Sequence, residues 1–370
     1  MTNTVNRRDL LKASAAFAGL SAAGTFGGID VASAGPIEPP AVDNLAIRVL
    51  IDSSQDNFFR PNQVHGVSIQ PPPRPSDFRQ TLHNQWGLSL YLQSKRGDEQ
   101  RTLMLDYGYS ADALLNNIDI VKADPGKVTA LIVSHAHFDH YGGLIGFLDR
   151  FRDRLPGDVK LYAGGEDTFC HRLSRSGDSQ FSDSGILDRR ELAARRVATV
   201  LCETPTVIEG HAFTTGRIKR TSIEKVLPNT FVEFKIENGL GCDASHYTSA
   251  ELQGKIVPDE HIHEHATCFH VKDRGLVVLS SCGHVGIVNS VRQAQEVSGV
   301  EKVHAIVGGF HLGPAPKDYL DQVIAEIKRL DPDVVIPMHC SGNNFIQAVR
   351  EQMPDKLIVT TTGSLITFGA

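Results

Sequence analysis

Among the six cysteines of the chain, Cys170, Cys202, Cys242, Cys268, Cys282 and Cys340, no two stand as a CxxC pair. Zinc-ribbon and thioredoxin-type chemistry is therefore not open to it. A basic stripe is missing too. Lys and Arg number 37 against 43 Asp and Glu, for a net charge of -6, so the chain lacks the electrostatic footprint that would hold a nucleic acid. Short clusters such as Arg189-Arg190 and Arg195-Arg196 read as solvated helix faces. Beyond the N-terminal segment no apolar run is long enough to span a bilayer, and no residue-level repeat stands out. What remains is a 370-residue chain of balanced composition, enough for one large or two small domains with a sizeable core.

The N-terminus reads as an export signal. Asn6-Arg7-Arg8-Asp9-Leu10-Leu11-Lys12 precedes a weakly apolar Ala/Gly-rich run from Ala13 to Gly28, and Ala32-Ser33-Ala34 offers a small-residue cleavage site. Residues 1–34 thus resemble a twin-arginine signal. The resemblance implies that the Tat export machinery is a partner during secretion and that the chain is folded before it crosses the membrane. The mature chain would then start near Gly35, with a Pro-rich linker over 35–44, and would be periplasmic or secreted without stable membrane insertion. An oxidising destination permits disulfides, but the sequence does not say which cysteines pair.

The densest chemistry lies in Val133-Ser134-His135-Ala136-His137-Phe138-Asp139-His140-Tyr141-Gly142-Gly143. An apolar, β-prone run from Thr129 delivers the chain to three histidines and one aspartate within six residues. Imidazole and carboxylate at this spacing suit Zn, Fe or Mn. Because neighbouring residues at a strand end point different ways, one such loop can feed two divalent metal ions.

The rest of the pattern is α/β. Strands are predicted over Leu45 to Asp52, Leu88 to Gln93, Thr102 to Leu105, Val128 to Val133 and Val159 to Ala163, with helices over Ala111 to Ile118 and Gly143 to Leu155. Asp56 to Pro75 is a candidate lid, and 166–265 a polar insertion near the site. A hairpin of Ala266 to Val271 and Leu276 to Ser281 follows. Helices then alternate with strands down to a last strand at Leu357 to Thr361, which describes the second half of an αββα sandwich. Three later strand ends, Cys282-Gly283-His284, Gly308-Gly309-Phe310-His311 and Met338-His339-Cys340-Ser341-Gly342, stand where further ligands would come from.

H-x-H-x-D-H is the signature of the metallo-β-lactamase superfamily, which the chain resembles from roughly residue 45 to its end. One branch is closer still, that named for the 7,8-dihydropterin-6-yl-methyl-4-(β-D-ribofuranosyl)aminobenzene 5'-phosphate synthase of methanopterin biosynthesis. Its four ordered motifs stand here as His135 to His140, Ser281 to Asn289, Gly308 to Leu312 and His339 to Gly342.

The resemblance implies one domain over 45–370, an αββα sandwich of two mixed sheets flanked by helices, with metals at the edge between the sheets. It implies that His135 and His137 bind one metal and Asp139 and His140 the second, with His339 closing the second site. Cys282 falls where the superfamily usually has a bridging aspartate, and a thiolate there suits Zn. His284 is the first candidate to complete the first site. His265, from the cluster His261-Ile262-His263-Glu264-His265, and another histidine such as His211 are alternatives. His261 and His263 themselves read as members of an exposed polar loop. Asp106 stands where the superfamily supports the metal loop from behind. His311 reads either as a substrate contact or as a histidine packed at a helix start.

Two divalent ions, Zn first and Mn or Fe as alternatives, would make a water nucleophilic near neutral pH. Asp139 would orient it or pass its proton on, and His311, Arg217 or Lys219 would hold an anionic portion of a small-molecule substrate. The function implied is an exported metal-dependent hydrolase of an ester, lactone, amide or phosphoester. The alternatives are a transferase or condensing enzyme on a pterin-like or phosphorylated substrate, and a di-iron redox protein.

Overall fold

The computed structural model describes residues 36–369 except 177–179, 227–229, 244, 246, 251 and 254–255. The export segment expected over 1–34 lies outside the described residues. Part of the expected linker is tied down: Ala41–Val42 pairs in parallel with Thr267–Val271.

Successive side chains of a strand point to opposite faces, and this alternation sorts the apolar residues into layers. In Val128–Val133, Ala130 and Ile132 turn to a core between two sheets, while Leu131 and Val133 turn to helices on the other side. In Gly275–Ser280, Val277 and Leu279 enter that same central core, and Leu276 and Val278 face a third cluster.

One sheet has nine strands in the order Ala198–Leu201, Lys160–Ala163, Val128–Val133, Glu99–Leu105, Ser89–Arg96, Asn44–Ile51, Leu365–Phe368, Val67–Gln70 and Asn62–Val64. The facing sheet runs Thr206–Ile208, Ala212–Thr214, Thr267–Val271, Gly275–Ser280, Val303–Gly308 and Val334–Pro337. Helices Ala111–Val121 and Leu144–Phe151 cover the first sheet; Ile287–Ser298, Lys317–Leu330 and Asn343–Gln352 cover the second. The architecture is the expected αββα sandwich of two mixed sheets.

Helix Lys317–Leu330 illustrates how a flanking layer is fixed. Leu320, Val323, Ile324 and Ile327 recur at helical spacing and are buried, while Lys317, Asp318 and Asp321 face water. Burying each of the four stabilises by about 1.5–3 kcal/mol. Truncating Ile324 to Ala would cost about 2–5 kcal/mol.

Two expectations need correction. Leu357 to Thr361 is not a strand: only Leu357 bridges to Val335. Thr361 Oγ1 accepts the Asp56 amide and Thr362 Oγ1 the Asp52 amide, so these hydroxyls tether the 52–56 loop and the last strand is Leu365–Phe368. The stretch Asp56 to Pro75 is not wholly a lid either, since Asn62–Val64 and Val67–Gln70 form a hairpin at the edge of the nine-stranded sheet.

The polar stretch 166–265 is shared between a sheet of its own and the sandwich. Gln180–Asp183, His171–Ser176, Thr230–Glu233 and Ile256–Pro258 make a separate four-stranded antiparallel sheet. A Cys170–Cys242 disulfide ties its flanks together. Between its strands the chain returns to the sandwich as Ala198–Leu201, Thr206–Ile208 and Ala212–Thr214.

Candidate metal centre

Glu99–Leu105 runs parallel to Val128–Val133, and Gly275–Ser280, Val303–Gly308 and Val334–Pro337 run parallel to one another. Their carboxyl ends therefore open at one edge of each sheet, and the loops that follow meet across the seam. Four residues there, Asp106, His261, His311 and His339, take left-handed φ values of 58°, 50°, 48° and 47°. Such backbone is costly for non-glycine residues and persists where the surroundings over-determine it. Gly308, at φ 116°, has no such penalty; a Cβ there would lie 2.0 Å from the Ser280 carbonyl. Its absence lets two strand ends lie flush and aims His311 at the seam.

Seven side chains expected from the sequence to be ligands meet in this seam. Donor atoms of His135, His137 and His284 lie within 4.8 Å of one another, as do those of Asp139, His140 and His339. Cys282 falls between the two groups, within the same distance of His135 and His140. The second group closes across the sheets, with His339 Nε2 3.3 Å and His140 Nε2 3.7 Å from Asp139 Oδ2. Of the three histidines weighed for the first group, His284 is the one brought to it. His265 instead bonds the Val133 carbonyl at 3.1 Å, and His211 bonds Ser94 Oγ at 2.8 Å elsewhere in the sandwich.

Three of the rings, those of His135, His140 and His339, are held by their far nitrogens. Asp106 Oδ2 takes His140 Nδ1 at 2.7 Å and the Ser134 hydroxyl at 2.7 Å, while Oδ1 accepts the Ser134 amide. His135 Nδ1 faces Ser134 Oγ at 2.9 Å, and His339 Nδ1 faces Ser53 Oγ at 3.2 Å. Asp52 Oδ1 accepts the His339 amide at 2.8 Å, which joins the last ligand loop to the first sheet. Asp106 is thus a support from behind, as expected.

The near nitrogens are left over. Nε2 of His135, His140 and His339 and both ring nitrogens of His284 are buried without a hydrogen-bond partner among the described residues. Leaving one such group unsatisfied costs about 1–3 kcal/mol. A donor set of imidazoles, a carboxylate and a thiol converging in this way fits divalent cations of the zinc type.

The two groups differ electrostatically. Burial, reinforced by neighbouring imidazoles, holds His135, His137 and His284 well below the usual histidine range. Burial opposes ionisation of Asp139, yet His140 and His339 outweigh it and hold the carboxyl well below its usual range. Burial likewise opposes the charge on His339, but Cys340 and Asp139 push it up to about 10. Cys282 and Cys340 approach to 3.0 Å between sulfurs. Burial and its neighbour raise Cys282; the Cys282 thiol and His339 lower Cys340 against its own burial.

His311 stands at the site. Its amide donates to Cys340 Sγ at 3.2 Å, its Nδ1 lies 3.7 Å from Cys282 Sγ and its ring lies 4.2 Å from that of His284. Lys219 is instead an exposed residue paired with Glu296, and the Arg217 amide donates to the Glu203 carbonyl.

Residues 261–265 are not an exposed loop: every member except Ile262 is buried. Glu264 accepts the His284 and Val285 amides, and burial pushes its carboxyl up to about 7. His263 Nε2 accepts the Ala136 amide. The density of histidine in that stretch was the available signal; its burial was not visible in it.

The chain's residues 89–217 match the family model described as the metallo-beta-lactamase superfamily. That match includes the His135 to His140 loop, and with the αββα sandwich it shows a metallo-beta-lactamase fold. Among curated relatives, the 7,8-dihydropterin-6-methyl-4-(beta-D-ribofuranosyl)-aminobenzene-5'-phosphate synthase of Methanocaldococcus jannaschii is 25% identical over 295 residues, covering 77% of this chain and 90% of its own. An uncharacterised protein of the same organism is 22% identical, covering 66% and 85%. A crystal structure described as a metal-dependent hydrolase of the beta-lactamase superfamily superposes with a TM-score of 0.61 at 20% identity, covering 87% of this chain and 98% of the other.

Proposed function

We propose that the protein is a metal-dependent hydrolase that holds two divalent cations, zinc first among them, and acts on a small-molecule ester, lactone, amide or phosphoester. The observation that carries the reading is the convergence of partnerless, buried ring nitrogens from both sheets on one seam. His135, His137 and His284 would hold one cation, Asp139, His140 and His339 the other, and Cys282 would lie between them. Such a pair supplies Lewis acidity that makes water nucleophilic near neutral pH and offsets charge building on the attacked centre.

The chain's own groups account for the rest. Asp139, ionised and partly open to solvent, orients the attacking water and takes its proton. His311, whose Nε2 has no hydrogen-bond partner among the described residues, donates to the substrate oxygen. Trp86, 58% exposed and 4.8 Å from the His339 ring, forms an apolar wall where the substrate enters. Periplasmic or secreted localisation belongs to the same proposal, and the Cys170–Cys242 disulfide supports it, since such bonds persist in oxidising compartments.

The experiment is elemental analysis of the purified protein together with a panel of ester, lactone and phosphodiester substrates, run on the native chain and Asp139→Ala. Two zinc ions per chain and hydrolysis lost in the variant are expected; full activity in the variant removes the mechanism. The synthase relative, which spans most of this chain, favours a second reading, a condensing enzyme on a pterin-like or phosphorylated substrate. Binding of a pterin together with silence across the hydrolysis panel would select it.

A further inference from the structure

The seam explains the strand-end loops and leaves the inserted four-stranded sheet without a task. At its base lies a fully buried guanidinium. Arg172 Nε donates to Asp259 Oδ2 at 3.1 Å and Nη2 to Asp167 Oδ2 at 2.9 Å. From these two carboxylates, two histidines reach the metal loop. His263 Nδ1 lies 2.9 Å from Asp167 Oδ2, and its Nε2 accepts the Ala136 amide at 3.0 Å. Asp259 Oδ1 accepts the His261 amide at 2.8 Å, with the ring's Nδ1 3.9 Å away. His261 Nε2 then stands 3.3 Å from His137 Nε2, and its ring stacks on His284 at 4.1 Å and 17°. The Thr230 hydroxyl lies 3.3 Å from the same Nε2.

The supports of His135, His140 and His339 come from the sandwich, through Ser134, Asp106 and Ser53. His137 draws its support from the insert. We propose that His261 is the positioning residue of His137. His137 Nε2–H donates to His261 Nε2, which leaves His137 Nδ1 as the atom facing the first cation, and Asp259 and Arg172 hold His261 in turn. Partners of metal-bound histidines fix both tautomer and ring direction. This inference rests on the two-cation reading above.

His137, Asp259 and His261 also bring donor atoms within 4.8 Å of one another, as a third cation site would. The guanidinium bonded to Asp259 repels a further cation there, so positioning is the role the observations favour.

The test is competition of cobalt against a chromophoric chelator on the full chain, for wild type, His261→Ala, His261→Gln and His339→Ala. Wild type is expected to bind two ions. In His261→Ala one ion weakens about 10–100-fold, the other keeps its constant, and the visible cobalt spectrum changes. His261→Gln, whose amide oxygen accepts the same hydrogen, restores most of the loss. His339→Ala weakens the other ion. Unchanged constants in His261→Ala overturn the proposal, as does equal loosening of both ions or no rescue by Gln. A third wild-type ion lost in His261→Ala overturns it in favour of a cation site. A wild type that binds no cation overturns the two-cation reading as well, whereas two ions indifferent to His261 defeat the positioning role alone.

Discussion

The two halves of the seam are built on opposite principles. His135, His137 and His284 form an all-imidazole cluster, sealed by the insert through His261, in which burial disfavours the charged imidazolium. Asp139, His140 and His339 mix a carboxylate with imidazoles under the exposed Trp86, with His339 Nε2 3.3 Å from Asp139 Oδ2. Both clusters bring metal-type donors together, and the second adds a carboxylate to its imidazoles. One loop, His135 to His140, feeds both, and the sheets on either side decide which residue serves which.

The comparison can be broken most directly at Asp139. In Asp139→Asn, hydrolysis should fall about 10²–10⁴-fold, the range of general-base removal, while the ion of the first cluster stays in place. Turnover and metal content measured on the same sample check both halves of that statement.

Arg172→Met attacks the other side. It leaves Asp167 and Asp259 buried without their guanidinium, at a cost of about 3–5 kcal/mol. Thermal melts should show that loss, and chelator titration should find the first cluster's ion loosened relative to wild type while the second's keeps its constant.

Acid should separate the clusters as well. The folded pKa of His339 lies at about 10, above its ordinary value, so a cation binding its Nε2 must expel a proton. Affinity there should fall about tenfold per pH unit and per proton as pH drops below that value. The first cluster, whose imidazoles are held below their usual range, should keep its ion to lower pH. Metal content after dialysis at a series of decreasing pH values should show one ion leaving before the other, with only the later step present in His339→Ala.

The smallest effect is expected from Trp86→Ala. An aromatic contact of this kind is worth about 0.5–1.5 kcal/mol. KM should rise several-fold with kcat little changed, as a wall that touches the substrate without taking part in its chemistry would give.

Much of this was legible in the sequence because the ligands sit where local signals are strong. Apolar runs such as Val128–Val133 and Val334–Pro337 end in histidines and glycines, and period-two alternation announces the strands. For the third histidine of the first cluster the sequence put His284 ahead of His265 and of others such as His211, and it is tertiary contact that brings His284 beside His135 and His137. Leu357 to Thr361 misled because a β-branched run resembles a strand whether or not its hydroxyls are used to tether a loop. The insert was the least legible part. Arg172 and Asp259 are 87 residues apart, and charged residues in a polar stretch normally mean a solvated surface. Nothing local announces that they are buried together or that His261 and His263 turn inward.

The most direct measurement is anomalous diffraction at the zinc edge from crystals of the native protein. The account predicts two peaks in the seam, one among His135, His137 and His284 and one among Asp139, His140 and His339, with Cys282 between them. A single peak, or zinc held by Cys282, His311 and Cys340 with the histidine clusters empty, would contradict it.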